Sequence, residues 1–306
     1  MSFSNDCKAE ILSQDFSDID IAESLLYGFI CFFPRISFTE MSINSENLSV
    51  LEQMRIILIN SSDFPQESIR IQKGIRVHTL KIEDESVCSE LINRFQVSRF
   101  GPSFHFLNAF LQTDEQKKAF LCGVFLACGS MSSPDKGYHL QFSSHRRALI
   151  RALGDFMTEL QFSPRESMHG NHYMLYIKNS GQIEDLLAYM GAFDSTLRLM
   201  EEKVFRDVKN SVTRRVNCEN ANLEKTIHSS SEDVALFREL LEQGGAELLS
   251  EEQLKLARCR MEHPEYSFSE LAGALEESLS KSGVNHRLRR IREIARNYFE
   301  SNRDQK

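Results

Sequence analysis

The sequence predicts an α+β domain made of two copies of one unit, followed by an all-α domain that ends in a helix-turn-helix. The order helix, strand, helix, strand, strand, helix occurs twice, and the copies lie 95 positions apart when Gly28 is matched with Gly123. A short amphipathic helix, a turn and a basic helix follow near the C-terminus. With 306 residues, 41% of them hydrophobic, the chain can bury more than one core.

The first copy follows a short predicted helix at residues 1–15. Residues 19–33 are apolar nearly all round, which predicts a buried helix. The periodicity of the next segments alternates between that of helices and that of strands. It predicts a strand at 36–41, a helix at 45–59, strands at 68–72 and 75–82, and a helix at 86–97.

The second copy begins with another apolar helix, predicted at residues 115–128. Residues 129–137 are rich in Gly, Ser and Pro and predict a turn. The elements predicted after it are a strand at 138–143, a helix at 145–161, strands near 165–168 and 173–178, and a helix at 182–191. The recurrence of one order favours a pseudo-twofold domain over two unrelated ones.

A series of shorter helices is predicted between the two domains. The patterns cover residues 196–210, 212–219, 221–229 and 232–243. Gly244 and Gly245 would end the last of them as a C-cap. The stretch 214–225 is polar and Asn-rich, a composition typical of a linker or a hinge.

Three serines are predicted to start the helices of the C-terminal domain. Ser250, Ser267 and Ser280 each precede an amphipathic pattern, as N-cap residues do. Glu270 lies three residues after Ser267, which is the capping-box spacing. Short helix, tight turn and basic helix together indicate a helix-turn-helix, whose last helix enters the major groove of DNA with its N-terminal half.

The basic helix, residues 280–298, has one apolar side and one polar side. The apolar side is predicted to contain Val284, Leu288, Ile291, Ile294, Ala295 and Tyr298. Asn and Arg can form two hydrogen bonds with adenine and guanine, so we predict base contacts by Ser282, Asn285, His286 and Arg289. We predict phosphate contacts by Lys281, Arg287, Arg290, Arg292 and Arg296. A basic helix that only faces water is the alternative.

Charge is unevenly distributed along the chain. The whole sequence has a net charge of −8, whereas residues 279–306 hold eight basic and three acidic side chains. Because neutralised phosphates dominate non-specific binding, double-stranded DNA is expected to meet the C-terminal helix. The acidic N-terminal part of the chain is then expected to bind a protein partner or to modulate DNA affinity.

Cysteine usage and hydropathy predict a cytoplasmic protein. The seven cysteines form no CxxC pair, and the N-terminus lacks the pattern of a signal peptide. The longest apolar runs reach about half of the ~20 residues that span a bilayer, so no membrane segment is expected. His169 and His172 lack further ligands at zinc-like spacing and are expected in a surface turn.

Three separated motifs carry a resemblance to a known family. They are residues 120–130 (FLCGVFLACGS) followed by Pro134 and the run GYHL, residues 215–222 (RVNCENAN) with Lys225, and residues 280–288 (SKSGVNHRL) preceded by His263 and Pro264. On these motifs, which occur in one order, the chain resembles the bacterial WhiA family over nearly its whole length.

This resemblance implies a domain similar to LAGLIDADG homing endonucleases, a linker, and a helix-turn-helix that resembles a sigma-factor DNA-binding region. The expected bounds are 1–210 for the first domain (repeats about 1–100 and 113–210), 211–221 for the linker and 222–306 for the last domain. The resemblance also implies a nucleoid-associated role in cell division and chromosome segregation, and in sporulation in spore-forming actinobacteria.

The residues at the nuclease positions argue against cleavage. In LAGLIDADG nucleases the eighth motif position supplies an acid that binds the catalytic metal. Here Phe33 and Cys128 occupy these positions, and neither offers the hard oxygen that Mg²⁺ prefers. We therefore expect no catalytic residue, no metal and no cofactor. Two alternatives stay open: a divergent metal-dependent DNA endonuclease, and a helix-turn-helix that has become a protein-interaction module.

Overall fold

The computed structural model describes residues 2–62, 64–97, 101, 104–275 and 279–303. It divides the chain into two compact units, Met1–Arg206 and Asp207–Lys306. Within the described ranges, no helix is both long enough and apolar enough to cross a membrane.

The first unit contains the same arrangement of helices and strands twice, after a first helix α1 (Phe3–Leu12). The first copy consists of α2 (Ile19–Cys31), β1 (Arg35–Ile36), β2 (Met41–Ser45), α3 (Leu48–Ser62), β3 (Ile69–Gln72), β4 (His78–Ile82) and α4 (Glu85–Phe95). The second consists of α5 (Asp114–Cys128), β5 (Gly129–Met131), β6 (Leu140–Ser144), α6 (Arg147–Glu159), β7 (Arg165–His169), β8 (His172–Ile177) and α7 (Ser180–Tyr189).

The two antiparallel sheets have matching strand orders, β1-β2-β4-β3 and β5-β6-β8-β7. The predicted duplication is therefore confirmed. In each sheet one face packs against helices and the other is open. In β8, for example, Leu175 and Ile177 are buried while Tyr176, between them, is half-exposed.

Two predicted details of the sheets are wrong. The single strand predicted at 36–41 is a hairpin of β1 and β2, closed where the Ser37 amide donates to the carbonyl oxygen of Glu40 (2.9 Å). The turn predicted at 129–137 begins with the strand β5. Strands of two or three residues are too short to show a period, and pairing with their neighbours defines them.

The two copies meet where α2 and α5 cross. A Cβ built on Gly28 would lie 2.1 Å from the carbonyl oxygen of Phe120, and one built on Gly123 would lie 2.0 Å from that of Leu25. Only glycine leaves room for backbones this close. The contact is symmetric because each copy contributes its glycine at the equivalent position.

A single helix, α8 (Phe193–Glu242), replaces the four shorter helices predicted from the sequence. The prediction of four separate helices is wrong. Between residues 193 and 243 the sequence contains neither Gly nor Pro, and Asn lowers helix propensity without ending a helix. Gly244 follows with φ +85°, as predicted for a C-cap.

In the second unit the last part of α8 packs with α9 (Glu251–Glu262), α10 (Phe268–Ala274) and α11 (Lys281–Arg303). The predicted capping by Ser250 and Ser267 is confirmed, and each serine forms a capping box with the residue three positions later. Ser280 Oγ accepts from the Gly283 amide (3.2 Å) at the start of α11. Most of the predicted turn between α10 and α11 lies outside the described residues.

Candidate nucleic-acid interface

Helix α11 packs one side into the core of the second unit. Its fully buried residues are Val284, Leu288, Ile291 and Ala295, while Ile294 and Tyr298 are partly buried beside them. This is the apolar side predicted from helical periodicity. The opposite side of the helix is therefore held towards solvent.

Seven of the nine residues predicted to contact DNA are exposed. They are Lys281, Ser282, Asn285, His286, Arg289, Arg290 and Arg296. Six of these seven lie between positions 281 and 290, in the first half of α11. Arg289 lies 3.7 Å from the carboxylate of Glu293, and both side chains are more than half exposed. A pair this exposed restrains Arg289 only weakly.

The other two predicted residues, Arg287 and Arg292, are engaged with other helices of the unit. Arg287 pairs with Glu252 of α9 at 2.8 Å and retains 24% of its side-chain exposure. Arg292 donates from Nε and Nη2 to the two carboxylate oxygens of Asp233 in α8, at 2.5 and 2.8 Å. The carboxylate raises the pKa of Arg292 through these bonds. Both arginines thus tie α11 to neighbouring helices of the unit.

A third arginine, Arg260, is buried near the Arg292–Asp233 pair and holds the loop that leads into α10. Its Nη1 donates to the carbonyl oxygens of Pro264 (3.3 Å) and Tyr266 (2.6 Å). Ser230 Oγ of α8 also donates to the Pro264 carbonyl (2.6 Å). Burial lowers the pKa of Arg260, and the nearby Asp233 carboxylate opposes that effect. These contacts fix the start of α10 next to α11.

Sequence reasoning missed this polar cluster of Ser230, Asp233, Arg260 and Arg292. The sequence nevertheless indicates one member of the cluster, Asp233. Asp233 lies four and seven residues before the buried Phe237 and Leu240, and is therefore on the apolar side of α8. A carboxylate at such a position indicates a buried partner, but the sequence does not say which arginine supplies it.

In the first unit, Phe33 and Cys128 lie at the ends of the two crossing helices. Phe33 is fully buried, and its ring packs edge-on against Phe29, with 5.3 Å between centroids. The Cys128 thiol donates to the carbonyl oxygen of Val124 (3.4 Å). A phenyl ring and a protonated thiol offer Mg²⁺ no hard ligand.

Two protein cations contact the backbone at these same helix ends. Arg146 donates to the carbonyl oxygens of Phe33 (2.7 Å) and Pro34 (3.3 Å), just after α2. Lys8 Nζ donates to the carbonyl oxygen of Leu126 (3.3 Å), near the end of α5. Positive charge is favourable at helix C-termini. Side chains of the chain itself thus supply positive charge at both helix ends.

The burial of this region makes a prediction about thiol reactivity. Burial raises the pKa of Cys122 and of Cys128 to about 12. The thiolate, which is the reactive form, is therefore disfavoured at pH 8. We expect iodoacetamide to modify the exposed Cys218 first and to spare Cys122 and Cys128 until urea unfolds the unit. Peptide mapping by mass spectrometry measures this order, and labelling of Cys128 as fast as Cys218 would contradict it.

Comparison with known proteins finds the same two-part organisation. A family model described as the WhiA C-terminal HTH domain matches residues 212–295, and one described as the WhiA LAGLIDADG-like domain matches residues 117–209. A protein of Clostridium tetani named probable cell division protein WhiA is 30% identical, with 96% of this chain and 97% of the relative covered. A protein of the same name from Thermoanaerobacter pseudethanolicus is also 30% identical, and the alignment covers 97% of this chain and 98% of the relative.

A solved structure has the same fold over both units. The crystal structure of full-length WhiA from Thermatoga maritima aligns with a TM-score of 0.60 and 23% identity. The alignment covers 97% of this chain and 99% of that chain. The predicted fold class, a duplicated LAGLIDADG-like domain followed by a helix-turn-helix domain, is therefore confirmed.

Proposed function

This chain belongs to the WhiA family, and from that premise we propose that it is a non-enzymatic DNA-binding regulator that acts in cell division and chromosome segregation. The observation that carries the proposal is the exposed first half of α11, a basic surface of the kind that enters the major groove in helix-turn-helix proteins. Relatives named as probable cell division proteins support the cellular role.

The exposed residues of α11 divide into two roles in this proposal. Ser282, Asn285, His286 and Arg289 meet base edges, and Lys281, Arg290 and Arg296 meet phosphates. Arg287 and Arg292 hold α11 at its angle through their ion pairs with Glu252 and Asp233. They influence DNA binding only by fixing the position of this helix.

Two arginine substitutions test this division. Arg289→Ala should lower affinity for the specific site by about 1–3 kcal/mol and leave binding to random DNA nearly unchanged, because it removes a base contact. Arg296→Ala should weaken both kinds of binding alike and reduce the salt slope by about one. Fluorescence anisotropy at several salt concentrations, with a site found by genomic footprinting, measures both.

The control for these variants is Glu293→Gln. It removes the carboxylate next to Arg289 and should leave specific binding intact or make it tighter. Equal losses on specific and random DNA for both arginine variants would contradict the assigned roles. Binding that is independent of salt would instead favour a protein-interaction module.

The non-enzymatic part of the proposal rests on Phe33 and Cys128 at the nuclease positions. It is tested by incubating the pure full-length protein with supercoiled plasmid and Mg²⁺ or Mn²⁺. We expect the plasmid to remain supercoiled. Sustained cleavage that purifies with the protein would favour the alternative, a divergent metal-dependent endonuclease.

We also propose that the acidic first unit acts as a platform for a protein partner or modulates DNA affinity, and that the protein acts in the cytoplasm at the nucleoid. Related roles in transcription and sporulation follow from the same family. The proposed division is 1–210, 211–221 and 222–306. A genomic footprint made with residues 220–306, compared with one made with the full chain, tests whether the first unit changes affinity.

A further inference from the structure

The duplication places two equivalent cavities on the first unit, one in each copy. Each lies where the third and fourth strands of its sheet meet the start of the following helix. Arg70 pairs with Lys81 in the first copy, and Arg165 pairs with Tyr176 at the same register in the second. The cavities have volumes of about 340 Å³ and 420 Å³. Their contents can therefore be compared position by position.

The first cavity contains its own anions. It is lined by Glu67, Ser68, Arg70, Lys81, Glu83 and Asp84. The Asp84 carboxylate accepts from Ser68 Oγ (2.9 Å) and from the amide of Ser86 (3.0 Å). Lys81 lies 3.7 Å from the Glu83 carboxylate. Ser68 and Lys81 of this copy thus contact carboxylates of the chain itself, and Arg70 Nε donates to the backbone carbonyl oxygen of Glu67 (2.9 Å).

In the second cavity the equivalent carboxylates are absent, and Arg165 occupies the position of Arg70. It is lined by Ser163, Arg165, Tyr176, Ile177, Lys178, Asn179 and Gln182. Lys178 takes the place of Glu83, and Asn179 takes the place of Asp84. Among the described residues, neither Arg165 nor Lys178 forms an ion pair with a carboxylate. Lys178 Nζ lies 5.3 Å from the centre of the Tyr176 ring.

We propose that this second cavity binds the phosphate group of a small ligand. An arginine fork and a lysine ammonium group without an acidic neighbour are the groups that proteins use for a phosphate dianion. The volume falls in the range of small-molecule sites. The Asn179 amide and the Ser163 hydroxyl add neutral hydrogen-bonding groups to the same wall.

A small ligand fits this surface better than duplex DNA. Other positions on the open face of this sheet are neutral, including Ser130, Gln141, Ser143 and Ser167. A duplex backbone requires a row of cations along its path, because each phosphate contributes little alone. Two cations at one cavity provide a point of attachment for a single phosphate group.

The test is a titration of the full-length, isotope-labelled protein with inorganic phosphate and, separately, with glycerol 3-phosphate, at constant ionic strength. We expect saturable shifts of the amide signals of Ser163, Lys178 and Gln182 in nuclear magnetic resonance spectra. Arg165→Gln and Lys178→Gln should each weaken binding about tenfold, the loss of one charge-assisted contact. Asn179→Asp, which restores the carboxylate of the first copy, should abolish it.

The matched control is Arg70→Gln at the equivalent position of the first copy, which should leave affinity unchanged. Tighter binding of the ester than of inorganic phosphate would identify a phosphate ester as the ligand, and the reverse would identify free phosphate. Shifts that fail to saturate, or equal binding by Arg165→Gln and wild type, would overturn the proposal. So would shifts of these amides by random duplex DNA but not by either small phosphate.

Discussion

Gly123→Ala is expected to unfold the first unit or to destabilise it by about 4 kcal/mol or more, at the upper end of single substitutions. The new methyl group would lie 2.0 Å from the carbonyl oxygen of Leu25 and 2.9 Å from the amide nitrogen of Phe29. Both atoms belong to the backbone of α2, so no side-chain rotation relieves the clash. Gly28→Ala should have the same effect, because its methyl group meets the backbone of Phe120 in α5.

The control is Gly154→Ala, another helical glycine of the same unit. Its methyl group would lie 3.3 Å from Cδ1 of Leu175, the end of a flexible side chain. Alanine gains about 1 kcal/mol in helix propensity over glycine, which offsets a contact this mild. Thermal unfolding followed by circular dichroism compares the three variants. A melting temperature for Gly123→Ala equal to that of Gly154→Ala would show that the helices do not cross at these glycines.

The crossing point could be predicted from the sequence because each copy has a glycine at the equivalent position of its apolar helix. Gly28 and Gly123 lie inside long apolar helices, and their separation gave the repeat length directly. The edge strands β1 and β5 could not be predicted in this way, since pairing with β2 and β6 creates them.

For the candidate interface, the sequence predicted which side of α11 is exposed but not which arginines pair with other helices. The exposed side follows from helical periodicity alone, and residues such as Asn285 and Arg289 lie where it places them. Arg292 carries the same charge and lies on the same helix, yet its partner is Asp233, 59 positions earlier. A partner that distant is chosen by how the helices pack, which periodicity within one helix cannot specify.

Asp233→Ala is expected to destabilise the second unit by about 3 kcal/mol. Asp233 is 3% exposed, and its removal leaves Arg292 without its two hydrogen bonds and Arg260 without an opposing charge close by. Breaking a buried ion pair costs about 3–5 kcal/mol. The lower end applies because the Arg292 side chain retains 28% of its exposure and can recover some hydration.

Hydrogen exchange of the α11 amides measures the loss of stability in the second unit alone. A local measurement is needed because a chain of two units need not unfold in one step. The matched control is Glu252→Ala, which removes the partner of Arg287 on the same helix. Glu252 is 60% exposed, so this change should cost about 1 kcal/mol or less. Because Asp233 fixes the angle of α11, DNA affinity should fall in Asp233→Ala and persist in Glu252→Ala. If the two variants exchange at the same rate, Asp233 does not hold α11 in place.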